Sequence, residues 1–227
     1  MPAVATFLSS SLVMAAALAM HLATSVPAVA QTDEMVKIVT LGTSLSARGG
    51  WQEPLSRALG ACLNRDVAVT NLAESGMTSQ WGLTQIDKVI AERPDIVLVE
   101  FAVNDADVTE FMSLAGSAAN MSEIVSRLRE SETHPAVYVM AMSPVSGLRG
   151  MIRPFLAQYE DAHAEVARKL GAGFIDHRPA WAKLSDEEIA TAIPDGTHPD
   201  PATTSRVIVP GLVHALATSG CLTAKRE

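Results

Sequence analysis

Short apolar runs rich in valine and isoleucine alternate, from Val36 onward, with segments whose apolar residues recur at helical spacing. A strand buried on both faces of a parallel sheet reads as an uninterrupted apolar run, and Ile96-Val97-Leu98-Val99 is the clearest one here. Runs of this kind separated by helical segments indicate βα units around a parallel sheet. The pattern predicts five strands, over residues 36–41, 67–71, 96–102, 136–142 and 173–176.

The predicted helices carry apolar residues three and four positions apart, which is the spacing of one helix face. Such stripes occupy residues 51–62, 121–128 and 156–170. A last helix is predicted over residues 201–219, kinked or broken at Pro210-Gly211 and ended by Gly220. Because the connections are short and no repeat or long linker interrupts them, the sequence favours one α/β domain built as a three-layer αβα sandwich.

The first thirty residues differ from the rest of the chain, since they contain no Asp, Glu, Lys or Arg. Their apolar run Leu12 to Met20 is too short to span a bilayer, and Ala28-Val29-Ala30 precedes Gln31 as a small-residue cleavage site would. We predict a secretory signal peptide over residues 1–30 and a domain over 31–227, although the leader lacks a basic start. An uncleaved N-terminal anchor is the alternative. Cleavage would leave a periplasmic or secreted protein with no stable membrane insertion.

Charge and cysteine content narrow the possible partners. The formal net charge is −8, all of it from residues 31–227, which argues against nucleic acid because phosphate backbones are bound by Lys and Arg. Two cysteines cannot build a thiolate metal cluster, and no His/Cys pair has zinc-ligand spacing, so no metal site is expected. In an oxidising compartment Cys62 and Cys221 could form a disulfide, and two buried free thiols are the alternative.

The residues that follow the predicted strands have the chemistry of acyl transfer. In open parallel sheets ligands collect at the carboxyl ends of the strands. Gly42-Thr43-Ser44 follows the first strand, Gly76 comes shortly after the second, Asn104 follows the third, and Asp195-Gly196-Thr197-His198 precedes the last helix. Each motif alone is common, but together and in this order they form a specific set.

A serine hydroxyl becomes a good nucleophile when a base takes its proton, and His198 is the candidate base for Ser44. Asp195 can accept the second ring N–H of His198 and fix its tautomer. A tetrahedral oxyanion then needs donors, which the backbone N–H groups of Ser44 and Gly76 and the amide of Asn104 can supply. The sequence therefore predicts a Ser-His-Asp triad with an oxyanion hole.

This set resembles the SGNH hydrolases, also called the GDSL esterase/lipase family, over nearly all of residues 36–218. Ser44, Gly76, Asn104 and His198 match the four blocks of that family, and Asp195 matches the acid before its histidine. Within the family, the chain is most similar to the bacterial periplasmic thioesterase/lysophospholipase branch. The resemblance implies a flavodoxin-like sheet in the order 2-1-3-4-5 and no cofactor.

Two positions depart from the family pattern. Thr43 stands where the family has an Asp, and Ala102 stands where it has a glycine. Neither change removes a catalytic group, but Thr43 alters how the turn that carries Ser44 is braced, and Ala102 adds a methyl group near the oxyanion hole.

Other residues on the same rim are candidates for substrate binding. Arg149 and Arg153, in the loop after the fourth strand, could bind an anionic head group or a uronate, or be solvated loop arginines. Trp81 could wall an acyl pocket or anchor a helix to the sheet. His177 follows the fifth strand and could line the site, and Asp105 is expected to brace the loop of Asn104.

Three functions remain open on these observations. The first is a secreted serine esterase that cleaves an ester or thioester through an acyl-serine intermediate. The second keeps the same residues but transfers the acyl group to a glycan, as an O-acyltransferase. The third is a catalytically silent glycan- or lipid-binding domain that retains the fold.

Overall fold

One parallel sheet carries the domain, and its five strands lie in the order β2-β1-β3-β4-β5. The computed structural model describes Met1 and residues 35–217, and every element below belongs to the unit of residues 33–227. The order confirms the sheet that the family resemblance implies. The strands are β1 (Val36–Gly42), β2 (Val67–Asn71), β3 (Ile96–Glu100), β4 (Ala136–Ala141) and β5 (Gly173–Asp176).

Helices of very different length connect the strands. Four long helices and the last helix cover the sheet, whereas the short ones lie in the loops at its carboxyl edge. In chain order they are α1 (Ser44–Ala47), α2 (Gln52–Leu63), α3 (Ser79–Ala91), α4 (Ala102–Asp105), α5 (Leu114–Arg129), α6 (Gly147–Met151), α7 (Leu156–Lys169), α8 (Arg178–Trp181), α9 (Asp186–Ala192) and α10 (Pro201–Leu216).

The two faces of the sheet bury separate apolar clusters. On one face α2 packs against α10, and both cover strand residues that include Ile38 and Leu98. On the other face α3, α5 and α7 cover Val39 and Val97. Neighbouring residues of a strand point to opposite faces, so continuous apolar strands require helices on both sides. The three-layer αβα sandwich is confirmed.

Three strand ends and the path of the last helix differ from the sequence predictions. β3 ends at Glu100, because residues 102–105 wind into α4, and β4 ends at Ala141, so both are shorter than predicted. β1 runs one residue further, to Gly42. The sequence predicts a kink or a break at Pro210-Gly211, and the break is wrong, because α10 continues through Pro210. Pro210 is exposed. The buried side chains of Val209, before it, and Leu212, after it, pack the helix against the core.

Several predictions concern residues outside the described ranges. These are the signal peptide, apart from Met1, together with Gly220 and Cys221. Cys62 is half-buried on α2 and packs against the cluster beneath α10, and its pairing with Cys221 stays a prediction. Within residues 35–217, no helix combines the length and the apolar character needed to cross a membrane.

Candidate active site

Three predicted site residues lie in loops at the carboxyl edge of the sheet. Ser44 is the first residue of α1, directly after β1, and Asn104 lies in α4, after the adjacent strand β3. His198 lies just before α10. Ser44 and Asn104 are 6% and 7% exposed, so both are largely shielded from solvent.

A continuous chain of hydrogen bonds joins Ser44, His198 and Asp195. The hydroxyl oxygen of Ser44 lies 2.8 Å from Nε2 of His198, and Nδ1 of His198 lies 2.6 Å from a carboxylate oxygen of Asp195. A carboxylate can only accept, so Nδ1 carries the ring proton. Nε2 is then the acceptor for the Ser44 hydroxyl. This is the arrangement in which His198 can remove the serine proton.

The loop of residues 195–198 holds the Asp195 carboxylate in position and keeps it ionised. Its second carboxylate oxygen accepts hydrogen bonds from the backbone N–H groups of Thr197, at 2.9 Å, and His198, at 2.7 Å. Burial raises the pKa of the Asp195 carboxyl, but the hydrogen bonds from His198 and Thr197 outweigh it and hold that pKa well below its usual range. Asp195 is therefore ionised at neutral pH.

A backbone contact attaches this loop to the loop after β4. Gly196 has a positive φ of 78°, and its carbonyl accepts a hydrogen bond of 2.8 Å from the N–H of Ser146. A Cβ at Gly196 would lie 2.5 Å from the carbonyl oxygen of Ser146. Glycine is required here both for the left-handed backbone and for the close approach.

The predicted oxyanion donors come from three different loops. Ser44 begins α1, and the first N–H groups of a helix have no acceptor in the helix itself. Gly76 has a φ of 81° and open space on the side where a Cβ would stand. The amide of Asn104 donates one N–H to the carbonyl of Met77, at 2.9 Å. An amide has a second N–H, and the bond to Met77 also links Asn104 to the Gly76 loop.

Asp105 braces the Asn104 loop from beneath. Its carboxylate accepts the N–H of Ser79 at 2.8 Å and the hydroxyl of Ser117 at 2.5 Å. Nε2 of His163 lies 2.7 Å from the same hydroxyl, whose single proton goes to Asp105, so Nε2 must be the donor. Burial lowers the pKa of His163 to about 4, so its ring is neutral. This buried network ties α4 to α3, α5 and α7.

A pocket of about 340 Å³ opens beside the nucleophile. Ser44 and His198 contribute to its lining, together with the segments on either side of them. The remaining lining residues are Leu45, Arg48, Gly49, Pro194, Pro199, Asp200 and Pro201.

The structure does not give Arg153 the exposed position expected of a substrate ligand or of a solvated loop residue. Its side chain is 5% exposed, and its guanidinium lies 2.8 Å from Asp107. The same side chain donates to the carbonyls of Val103, at 2.6 Å, and Arg149, at 3.1 Å. Because Val103 precedes Asn104, Arg153 is an internal link between the loops after β3 and β4.

The other two substrate candidates lie in different surroundings. Arg149 is exposed on α6 and is free to meet a ligand at the rim. Trp81 is half-buried on α3 and packs against the core cluster under that helix, with its ring edge-on to Phe101 at 6.4 Å. His177 is buried after β5, and burial lowers its pKa to about 4.

Replacing Arg153 by Met is expected to lower the free energy of unfolding by about 3 to 5 kcal/mol, because it leaves the carboxylate of Asp107 buried without its cation. Urea unfolding followed by circular dichroism measures the change. Arg168→Met is the control, since Arg168 pairs with Glu165 in solvent and should leave stability nearly unchanged. Equal small losses in both variants would contradict the structural role of Arg153.

Glu100 is the site residue that the sequence analysis missed. It is 1% exposed at the end of β3 and accepts hydrogen bonds from Thr43 and Ser46, the residues on either side of the Ser44 turn. Burial raises its pKa to about 7, against hydrogen bonds that lower it. A carboxylate at the end of an otherwise apolar buried run was the signal that could have identified it.

Within residues 35–217, no group of three or more His, Cys, Asp and Glu side chains is arranged to hold a metal ion. Ser44, His198 and Asp195 meet in one hydrogen-bonded chain that has the groups for a nucleophile, its base and the acid that orients the base. Acyl transfer through a serine needs these groups.

Comparisons with known proteins give the same family. The model of the GDSL-like Lipase/Acylhydrolase family matches residues 39–204. No curated protein matches the chain significantly in sequence.

Several solved structures share the fold. Axe2, an acetylxylan esterase from Geobacillus stearothermophilus, has a TM-score of 0.70 at 18% identity and covers 83% of this chain and 97% of its own. The structure named TesA has a TM-score of 0.62 at 21% identity, over 78% and 97%. LAE5, an alpha/beta hydrolase enzyme from the metagenome of Lake Arreo in Spain, has a TM-score of 0.67 at 21% identity, over 79% and 94%. The family match covers most of the chain, and the chain therefore belongs to the GDSL-like lipase/acylhydrolase family, as a serine ester hydrolase of the SGNH type.

Proposed function

We propose that the protein hydrolyses a small acyl ester through a covalent intermediate on Ser44. The observation that carries this proposal is the hydrogen-bonded chain from Ser44 through His198 to Asp195, with distances of 2.8 and 2.6 Å. A silent binding domain would have no need to keep three such side chains in line. This is the geometric relation that a nucleophile, its base and the group that orients the base require.

The first half of the reaction forms the acyl-enzyme. The oxygen of Ser44 attacks the carbonyl carbon of the ester while Nε2 of His198 takes the hydroxyl proton. The imidazolium that forms is stabilised by the ionised Asp195 carboxylate. Collapse of the tetrahedral intermediate breaks the bond to the leaving alcohol, which receives the proton from His198.

The second half releases the acid. A water molecule gives its proton to Nε2 of His198 and attacks the acyl carbon. The second tetrahedral intermediate then breaks the bond to the oxygen of Ser44, and His198 returns the proton to that oxygen. The serine is regenerated, and an acid and an alcohol are the products.

Both tetrahedral intermediates carry a negative oxygen that needs donors. We assign this role to the N–H groups of Ser44 and Gly76 and to the second N–H of the Asn104 amide. These groups come from rigid loops whose contacts, such as Asn104 to Met77, exist without a ligand. Donors that are already in place cost no reorganisation when charge develops.

Asn104→Ala is expected to lower kcat by about 10² to 10³ fold while KM changes little, because the lost N–H acts on the oxyanion rather than on the bound ester. Steady-state hydrolysis of p-nitrophenyl acetate measures both constants. Circular dichroism and urea unfolding check that the variant is folded. A folded variant with unchanged kcat would remove Asn104 from the oxyanion hole.

We favour a short acyl group as the part of the ester that Ser44 accepts. The pocket of about 340 Å³ is lined by Ser44 and His198 but by neither Gly76 nor Asn104, so its volume does not select a chain length, and the choice rests on structural likeness. Axe2, which has the same fold, is named for the removal of acetyl groups from xylan. An acetylated carbohydrate is therefore the substrate class that we favour over a long-chain lipid or thioester.

A p-nitrophenyl ester series from acetyl to palmitoyl, assayed beside acetylated xylan, tests this choice. We expect the highest kcat/KM at acetyl and release of acetate from the xylan. Activity that rises with chain length would contradict the short-acyl assignment. Transfer of acetyl to an added glycan acceptor in preference to water would show an O-acyltransferase instead.

We also propose that the enzyme acts outside the cytoplasm. The support is the composition of residues 1–30, with an uncharged apolar run followed by Ala28-Val29-Ala30. Expression of the full chain in a bacterium, followed by mass spectrometry of the periplasmic and extracellular fractions, tests it. A mature N-terminus at Gln31 is expected, and an intact Met1 on a membrane-bound product would indicate an anchor.

A further inference from the structure

A buried carboxylate lies directly under the turn that presents Ser44. Glu100 ends β3, where it pairs in register with Gly42 at the end of β1. Ser44 comes two residues after Gly42, so the carboxylate of Glu100 and the nucleophile share one corner of the sheet. The proposed acyl transfer assigns no step to Glu100.

The groups around the Glu100 carboxylate are hydrogen-bond donors on both sides of Ser44. The N–H of Thr43 donates to it at 2.7 Å, and the hydroxyl of Ser46 donates at 2.9 Å. The hydroxyl of Thr43 lies 3.0 and 3.1 Å from its two oxygens. That hydroxyl also accepts the N–H of Leu45 at 3.2 Å. Thr43, directly before Ser44, and Ser46, two residues after it, are thus both tied to this one acceptor group.

The backbone at Gly42 leaves room for the side chain of Glu100. A Cβ on Gly42 would lie 2.3 Å from a carboxylate oxygen of Glu100 and 2.7 Å from its carbonyl oxygen. Any larger residue at position 42 would push the carboxylate away from the turn. The absent side chain of Gly42 creates the space in which Glu100 reaches Thr43 and Ser46.

Burying a carboxylate is costly, so its retention needs a reason. Burial raises the pKa of Glu100, and the groups that oppose burial are the hydrogen-bond donors of Thr43 and Ser46, neither of which supplies the cation that usually accompanies a buried acid. A site that tolerates this cost next to a nucleophile is a candidate for function.

We propose that Glu100 is a positioning residue for the ester hydrolase: by accepting the bonds of Thr43 and Ser46 it fixes the Ser44 turn, and so keeps the serine hydroxyl within reach of His198. The inference rests on the proposed role of Ser44. It adds that the 2.8 Å contact between Ser44 and His198 depends on a residue whose hydrogen bonds go to Thr43 and Ser46.

The physical reason is the steep dependence of catalysis on geometry. Without Glu100, the buried N–H of Thr43 and the buried hydroxyl of Ser46 have no hydrogen-bond acceptor. The turn must then shift to bring these donors to other acceptors. A displacement of the nucleophile by about 1 Å can cost about 10² fold in rate. The effect should appear in the chemical step and not in substrate binding.

The test compares Glu100→Ala, Glu100→Gln and the unmodified chain by p-nitrophenyl acetate kinetics and by the rate at which a fluorophosphonate labels Ser44. We expect Glu100→Ala to lower kcat and the labelling rate by about 10² fold, with KM nearly unchanged. Glu100→Gln keeps one oxygen as acceptor and should restore most of both rates. A structural role alone would lower stability without this split between kcat and KM.

Glu160 provides a matched control. It is also a buried glutamate, 6% exposed, and burial likewise raises its pKa to about 7, but its partner is Arg178, at 3.2 Å. Arg178 keeps Asp161 and Asp176 when Glu160 is removed. Glu160→Ala and Glu160→Gln should therefore leave kcat and labelling at the level of the unmodified chain.

A second variant serves if Glu100→Ala does not fold. Glu100→Asp keeps the carboxylate but is shorter by one methylene group, so it withdraws the acceptor from Thr43 and Ser46. We expect it to lower kcat and the labelling rate below those of Glu100→Gln, with KM nearly unchanged. That order supports positioning, because Glu100→Gln keeps the length of the side chain and Glu100→Asp does not.

The outcomes separate this inference from the proposed function. If the unmodified chain is neither active nor labelled at Ser44, the proposed function is wrong and the inference falls with it. If the unmodified chain is active and folded Glu100→Ala retains its kcat, only the inference is overturned. A folded Glu100→Asp variant with the kcat of the unmodified chain would also overturn it.

Discussion

Ser44→Ala is expected to lower kcat for p-nitrophenyl acetate by about 10⁶ fold, because no other group can form the acyl intermediate at that position. Hydrolysis that remains would come from the oxyanion donors and from substrate binding. The methyl group of alanine fits in the place of the serine side chain, so circular dichroism and urea unfolding should match those of the unmodified chain. Fluorophosphonate labelling should disappear.

The control for this prediction is Ser131→Ala. The hydroxyl of Ser131 donates to the carbonyl of Leu128 at the end of α5, on the edge of the sheet opposite Ser44. That variant should keep its full kcat and its label. Full activity in folded Ser44→Ala would mean that another residue is the nucleophile.

Asp195→Asn is expected to lower kcat by about 10⁴ fold through the tautomer of His198. The amide oxygen should stay with the backbone N–H groups of Thr197 and His198, which need an acceptor. The NH₂ group of the new side chain then faces Nδ1 of His198, so Nδ1 must accept and the ring proton moves to Nε2. A protonated Nε2 cannot take the proton of Ser44.

The measurement is kcat at neutral pH, with Asp186→Asn as the control. Asp186 is an exposed acid in the first turn of α9, and its loss should leave kcat unchanged. Since the pKa of Asp195 is held below its usual range, the carboxylate is ionised throughout the assay. An Asp195→Asn variant with the kcat of the unmodified chain would contradict the orienting role.

The fold could be predicted because its signal is local. A run such as Ile96 to Val99 is apolar at every position, and only a strand covered on both faces shields side chains that point to both sides. The ends of such a run are less certain. β3 stops at Glu100 because residues 102–105 form a short helix, and the preference of residues for a single helical turn is too weak to be read from sequence.

The candidate site was accessible from sequence for a related reason. Ser44, Asn104 and His198 were proposed from their positions next to predicted elements, and parallel strands bring their carboxyl ends to one edge. The structure brings Ser44 and His198 into contact across 154 residues of chain. The burial of Glu100 and the internal ion pair of Arg153 could not be predicted in this way. Their partners, Thr43 and Asp107, lie 57 and 46 residues away, on other loops.

The amino-acid sequence by itself determined the fold class, the strand positions and the set of residue types at the strand ends, because hydrophobic period and motif order are properties of short segments. Only the tertiary structure decided which polar side chains are buried and what they bind. It placed Glu100 beneath the nucleophile and took Arg153 out of solvent, since burial and pairing depend on contacts between segments that are distant along the chain.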